Sequence, residues 1–271
     1  MNASQLSEKD KLISVASLIE NIYSSDGSNF YRSRWGTKTE FSELPFIEDE
    51  DFLQTPFSKR RYFHERGLVK VIRKPDGPYL IQRCIADIRE ENYGSSCRRP
   101  IVLLADGSDA LEKVLWFYEH DTLPLLGRSR NMAVAAYCAA WYKADALVSD
   151  VEMLSRFFPH LEKVYDPRRI RALTLIERAF PSSIQKWRAL FPAVRIIIGL
   201  PECGVFAEQC PGSGVEPIFH ADKNSILEVH EGCAVVTKLL PLVTPVIRYK
   251  TELFAAKGPS ACPCGKEAFI L

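Results

Sequence analysis

No apolar run in this 271-residue sequence approaches the roughly 18 to 20 residues needed to cross a bilayer, so no membrane association is expected. Net charge is almost absent: 35 Lys and Arg against 34 Asp and Glu leave +1. That balance gives no general attraction to nucleic acid or to anionic lipid. The opening Met1-Asn2-Ala3-Ser4-Gln5-Leu6 lacks a basic stretch leading into an apolar core. It does not read as a secretory signal, and the cytosol is the expected compartment. Internal repeats and low-complexity segments are missing as well. What is present is a chain 46% apolar and 25% charged, a globular composition, long enough for one large domain or two ordinary ones.

The one dense basic run, Lys59-Arg60-Arg61 with Arg66 beyond it, reads as a solvated loop. Eight cysteines would suit a small disulfide scaffold, but a core of this size has no need of one. Cys84, Cys138, Cys203 and Cys233 stand singly beside apolar neighbours and read as buried small side chains. Cys97, between Ser96 and Arg98, reads as a loop residue.

Apolar spacing predicts an amphipathic helix over 5–23, and the acidic run Glu48 to Asp51 predicts a short helix near Glu48 that Pro56 ends. Leu68–Ile72 and Tyr79–Gln82 read as two strands around the turn 74–78. Strands at 101–104, 146–148, 171–175 and 194–198 then alternate with helices at 110–119, 131–142, 151–158 and 182–190. That alternation predicts right-handed crossovers and a largely parallel α/β sheet. After Cys203 the helical pattern stops. A hairpin of Ile226–Val229 and Ala234–Thr237, and a strand at 245–249, predict a mostly β ending. The expected division is an N-terminal helical segment over 1–66, an α/β sheet core over 67–200 and a β-rich portion over 201–271.

The remaining cysteines form a pattern with one histidine. Nine residues separate Cys210 from His220, and forty-one more precede Cys262-Pro263-Cys264. Zinc takes four nitrogen and sulfur ligands in a tetrahedron, and four protein ligands leave no open position. Gly258, Pro259, Pro263 and Gly265 suit a knuckle that turns two sulfurs toward one point. Unrelated buried thiols with one loop histidine are the alternative. His64, His120, His160 and His230 have no comparable company and read as surface or core residues.

Taken in order, Ile198-Gly199-Leu200-Pro201-Glu202, Gln209-Cys210, His220, Asp222, Val235-Val236-Thr237, Pro245-Val246-Ile247-Arg248-Tyr249-Lys250-Thr251 and Cys262-Pro263-Cys264-Gly265 resemble the closing motifs of the adenylate-forming, AMP-dependent synthetases. The resemblance is to their phenylacetate–CoA ligase branch, and about the last 75 residues carry it. Weaker likenesses lie at Phe30-Tyr31-Arg32, Leu44-Pro45-Phe46 and Leu175-Ile176-Glu177.

This resemblance implies an α/β N-terminal core, ATP/AMP and Mg²⁺ as cofactors, and a carboxylic acid and a CoA-type thiol as substrates. It implies a structural zinc on Cys210, His220, Cys262 and Cys264. Glu202 would stand at the magnesium side. Gly77, Gly199, Arg248, Tyr249, Thr251 and Glu252 would stand at the nucleotide. Departures from the family are concentrated where ATP is handled. A phosphate loop needs small residues whose backbone N–H groups face the anion; here Val71-Ile72-Arg73-Lys74-Pro75-Asp76-Gly77-Pro78 keeps only Gly77 and Pro78. The Gly-Asp after Thr251 is replaced by Glu252-Leu253, and the family's lysine-bearing C-terminal domain is expected to be absent. Two readings follow. One is an adenylate-forming core with an eroded ATP site, weak or non-catalytic alone. The other is an active AMP-forming ligase core completed by a separate lysine-bearing domain or chain; a homodimer surface belongs with the first reading. A zinc hydrolase is disfavoured, because four protein ligands exclude an activated water.

Overall fold

The computed structural model describes residues 8–24, 29–37, 40–60, 70–73, 79–83, 99–104, 123–126, 132–177, 180–200, 202–213, 216–239, 244–260 and 262–271. The predicted helix over 110–119 lies outside them, as do Gly77, Pro201, Cys84 and Cys97.

Helix α1 (Glu8–Ser24) turns Val15, Leu18, Ile19 and Ile22 inward, one stripe at helical spacing. Three short helices follow it: α2 (Asn29–Trp35), α3 (Asp49–Leu53) and α4 (Phe57–Arg60). Helix α3 starts where the acidic run predicts. The Glu48 side chain caps the helix and the Asp51 carboxylate accepts from the Glu48 N–H at 2.8 Å. Strands β1 (Lys70–Arg73) and β2 (Tyr79–Arg83) pair antiparallel, and the turn expected at 74–78 lies outside the described residues.

Among the described residues, nine strands make the main sheet. Those on its parallel side are β3 (Pro100–Leu104), β4 (Leu123–Leu126), β5 (Ala146–Ser149), β6 (Ala172–Glu177) and β7 (Ala193–Leu200), in the spatial order β4-β3-β5-β6-β7. Helices α5 (Met132–Tyr142), α6 (Val151–Leu161) and α7 (Ile184–Leu190) alternate with them as expected. Asp150 caps α6 by accepting from the Met153 N–H at 2.7 Å. The helix continues through Pro159, past its predicted end, and buries Phe157, Phe158 and Leu161 against the sheet.

Beyond residue 200 the sheet changes direction without breaking. Strands β8 (Gly204–Gln209) and β9 (Ile218–Ala221) fold back antiparallel on β7 and on each other. The two-residue strands β13 (Ala256–Lys257) and β14 (Phe269–Ile270) close that edge. A separate antiparallel sheet holds β10 (Ser225–His230), β11 (Cys233–Lys238) and β12 (Tyr249–Phe254). The β10–β11 hairpin turns at Glu231 and Gly232, both at positive φ (50° and 77°). The fold is therefore α/β with a largely parallel sheet and an antiparallel β portion.

Three local expectations fail. The strand predicted over 245–249 begins only at Tyr249, because Arg248 takes φ +49° and interrupts the extended chain. Arg60, assigned to a solvated loop, is 3% exposed, with its guanidinium over the Phe52 ring 5.5 Å from the centroid. Cys203 is buried as expected, but Cys138 and Cys233 are only half-buried.

Candidate metal centre and nucleotide-side residues

The four residues picked out by spacing converge. Cys210 follows the last residue of β8, His220 lies in β9, and Cys262 and Cys264 flank the turn that leads into β14. Because β8, β9 and β14 are neighbours in the sheet, their ends deliver these side chains to one point. Their donor atoms all lie within 4.8 Å of one another. The sulfurs stand 3.5 Å apart for Cys210–Cys262, 3.8 Å for Cys210–Cys264 and 3.3 Å for Cys262–Cys264. His220 Nε2 is 3.0 Å from Cys264 Sγ and 3.6 Å from Cys262 Sγ.

A tetrahedral ion with Zn–S bonds of about 2.3 Å would need sulfur–sulfur edges of about 3.8 Å and sulfur–nitrogen edges of about 3.5 Å. These five edges lie within about 0.5 Å of the ideal, and all four donors lie within 4.8 Å of one another, so the donor set fits. His220 Nδ1 is 2.6 Å from the Glu267 carbonyl, so Nδ1 holds the ring proton and Nε2 turns its lone pair to the thiols. A backbone carbonyl that fixes the tautomer is a usual companion of a metal-bound histidine. Cys210, His220 and Cys262 are buried and Cys264 is exposed, which places the cluster just beneath the surface. Two glycines shape the knuckle. Gly265 sits at φ +75°, and a Cβ on Gly258 would come within 2.8 Å of the Ala268 carbonyl carbon.

The other sequence-selected residues do not gather in this way. Glu202 stands just past the carboxyl end of β7 and is 1% exposed. Gly199 lies where β7 and β8 run so close that a Cβ would meet the Gly204 carbonyl oxygen at 3.2 Å. Arg248 is held by its own fold. Nε and Nη2 donate to the two Glu228 carboxylate oxygens at 3.2 and 3.1 Å, and Nη1 donates to the Ser42 carbonyl at 2.9 Å and to that of Leu44. The guanidinium also lies over Phe46, 4.3 Å from the ring centroid. Tyr249 donates its hydroxyl to Asp49. Burial, then the neighbouring Cys203 and Glu202, then the bond to Asp49 push its phenol well above the usual range. The Thr251 hydroxyl donates to the Ala234 carbonyl at 2.9 Å, while Glu252 is exposed on β12.

These residues tie the N-terminal segment to β12 by a route that spacing did not reveal. Ile47 forms an isolated parallel bridge with Tyr249, with backbone bonds of 3.0 Å to the Arg248 carbonyl and 2.8 Å from the Lys250 N–H. The weak likeness at Leu44-Pro45-Phe46 was the available signal. A second contact reads likewise only in three dimensions: Glu177 accepts from the Val151 N–H at 2.6 Å, at the start of α6.

No protein-family model matches this sequence, and no curated protein matches it. Solved structures do. A 2-hydroxyisobutyryl-CoA ligase in an open conformation with 2-HIB-AMP and CoA superposes at TM-score 0.69 and 14% identity, over 97% of this chain and 73% of that one. The same ligase in the postadenylation state with 2-HIB-AMP gives 0.63 and 14%, over 97% and 66%. An acyl-CoA synthetase (AMP-forming)/AMP-acid ligase II-like protein from Dyadobacter fermentans gives 0.50 and 13%, over 82% and 67%. The chain has the adenylate-forming fold. At these identities the likeness concerns the fold, and this chain spans about two thirds to three quarters of the ligases. Within that fold, Glu202 lies at the carboxyl edge of the parallel strands, the edge where open α/β sheets bind ligands. The Cys/His cluster lies at the opposite end of β8, about 20 Å away at the rise of an extended strand.

Proposed function

We propose that this chain is a zinc-clipped, phenylacetate–CoA ligase-like adenylate-forming core whose ATP site is eroded, so that alone it is weak or inactive in adenylation. The observation that carries this reading is the engagement of the nucleotide-side residues in structural contacts. Arg248 is neutralised by Glu228 and bonded to the 42–44 carbonyls, and the Thr251 hydroxyl is spent on Ala234. The carboxylate nearest to a ribose ligand in sequence is the exposed Glu252. The phosphate loop over 71–78 supplies Pro75 and Asp76 where backbone N–H donors are needed.

Zinc would be held by Cys210, His220, Cys262 and Cys264. Four protein ligands leave no open position for water, and the distance from Glu202 keeps the ion away from any adenylation chemistry. Its role is to hold the ends of β8, β9 and β14 together.

The second reading, an active core completed by a lysine-bearing domain or a partner chain, draws support from Glu202, buried at the carboxyl edge beside Tyr249. Calorimetric titration of the purified, zinc-loaded chain with ATP and Mg²⁺ separates the two. The eroded-site reading expects no heat of binding in the millimolar range. Micromolar binding would overturn it in favour of the ligase core.

A further inference from the structure

A cavity of about 660 Å³ opens at the other edge of the sheet, where β6 and β7 begin and β8 ends. That volume is in the range of small-molecule sites. Phe191 and Val194 give it apolar walls, and its polar side chains include Arg188, Arg195, Glu208, Gln209 and Thr174. Arg195 and Glu208 satisfy each other through two bonds, Nε–Oε1 at 2.6 Å and Nη2–Oε2 at 2.8 Å. Their charges cancel.

Arg188 is different. Among the described residues its side chain has one partner, the neutral Gln209 amide oxygen at 2.7 Å from Nη2. Gln209 is itself fixed: its Nε2 donates to Ser213 Oγ at 3.2 Å and to the Glu216 carbonyl at 3.0 Å. One nitrogen of the guanidinium is thus clamped, and among the described residues no carboxylate pairs with it. Arg188 is half-buried, and that partial burial pushes its guanidinium below its ordinary range. A guanidinium oriented by one neutral hydrogen bond, beside an apolar wall, is suited to a planar or tetrahedral oxyanion.

We propose that this cavity binds a small amphipathic anion, a carboxylate or phosphate on a compact apolar body, with its oxyanion on Arg188. The site lies on the side of the sheet away from Glu202. It shares Cys210 with the metal cluster, so its occupant would rest against the clip and not in the acid or nucleotide cleft.

Calorimetric titration of the full zinc-loaded chain with benzoate, phenyl phosphate and the neutral benzyl alcohol tests this. One or both anions should bind and the alcohol should not; which anion is tighter identifies the head group. Arg188→Gln should weaken anion binding at least about tenfold and Arg188→Lys less. Ala193→Phe, at an exposed position in the cavity wall, should block binding while leaving Arg188 in place. The proposal is overturned if neither anion binds the wild-type chain in the millimolar range. It is equally overturned if Arg188→Gln and Ala193→Phe bind as the wild type does.

Discussion

Removing one sulfur from the Cys/His cluster should cost the protein both its metal and a measurable part of its stability. Cys262→Ser replaces a buried thiolate by a hydroxyl that zinc binds poorly, which leaves Cys210, His220 and the exposed Cys264. The structural consequence can be sized from the loop that the ion closes. Cys210 and Cys262 are 52 residues apart in sequence and 3.5 Å apart in space. Treated as a cross-link on the unfolded chain, a loop of that length is worth about 4 kcal/mol. For a chain of this size each kcal/mol moves Tm by about 2 to 4 °C, so the expected fall is about 8 to 16 °C. Metal analysis gives the first readout, with one equivalent in the wild type and well below that in the variant. Scanning calorimetry with and without a chelator gives the second: the chelator should lower the wild-type Tm and leave the variant nearly unmoved. Cys138→Ser, at a half-buried thiol outside the cluster, should keep its zinc. Wild-type zinc well below one equivalent, or a Tm indifferent to Cys262→Ser, would refute the reasoning.

Two further outcomes follow from buried polar contacts. Arg248→Met strands the Glu228 carboxylate and the Ser42 and Leu44 carbonyls, and should cost about 2 to 4 kcal/mol in a urea titration, discounted because Glu228 is partly exposed. Pairing it with Glu228→Met should recover part of that loss; full additivity would show that the pair is not coupled. Stability should also fall as pH rises above about 10. Tyr31 and Tyr249 are held above the ordinary phenol value of 10.0, chiefly by burial, so the unfolded state loses those protons first. Each adds a slope of about −1.4 kcal/mol per pH unit, present only above the unfolded pKa. Tyr249→Phe should make the alkaline slope shallower by about 1.4 kcal/mol per pH unit, and an unchanged slope would argue against a buried, neutral phenol.

The parts of this fold legible in the sequence were those with periodic or spaced signals. The alternation from Ile101 to Ile198 predicted four of the five parallel strands, missing the edge strand β4, and the spacing of Cys210, His220, Cys262 and Cys264 singled out residues that the structure brings together. Strand β8 escaped notice because it is enclosed on both faces: Gly204, Val205, Phe206 and Ala207 are all buried, so no alternation marks them. The two-residue strands β13 and β14 are too short to leave a pattern. The misplaced start of β12 came from one dihedral at Arg248, which side-chain chemistry does not announce. Of the candidate nucleotide residues, sequence order could place them along the chain but could not show that Arg248 and Thr251 are occupied by Glu228, the 42–44 carbonyls and Ala234. Those partners lie up to 206 residues away.

The most direct test of the account is ATP–pyrophosphate exchange by the purified, zinc-loaded chain across a panel of aliphatic and aromatic carboxylic acids. The account predicts no exchange above the protein-free background with any acid, since the groups that should hold the phosphates and ribose are replaced or occupied. Acid-dependent exchange by this chain alone would contradict it.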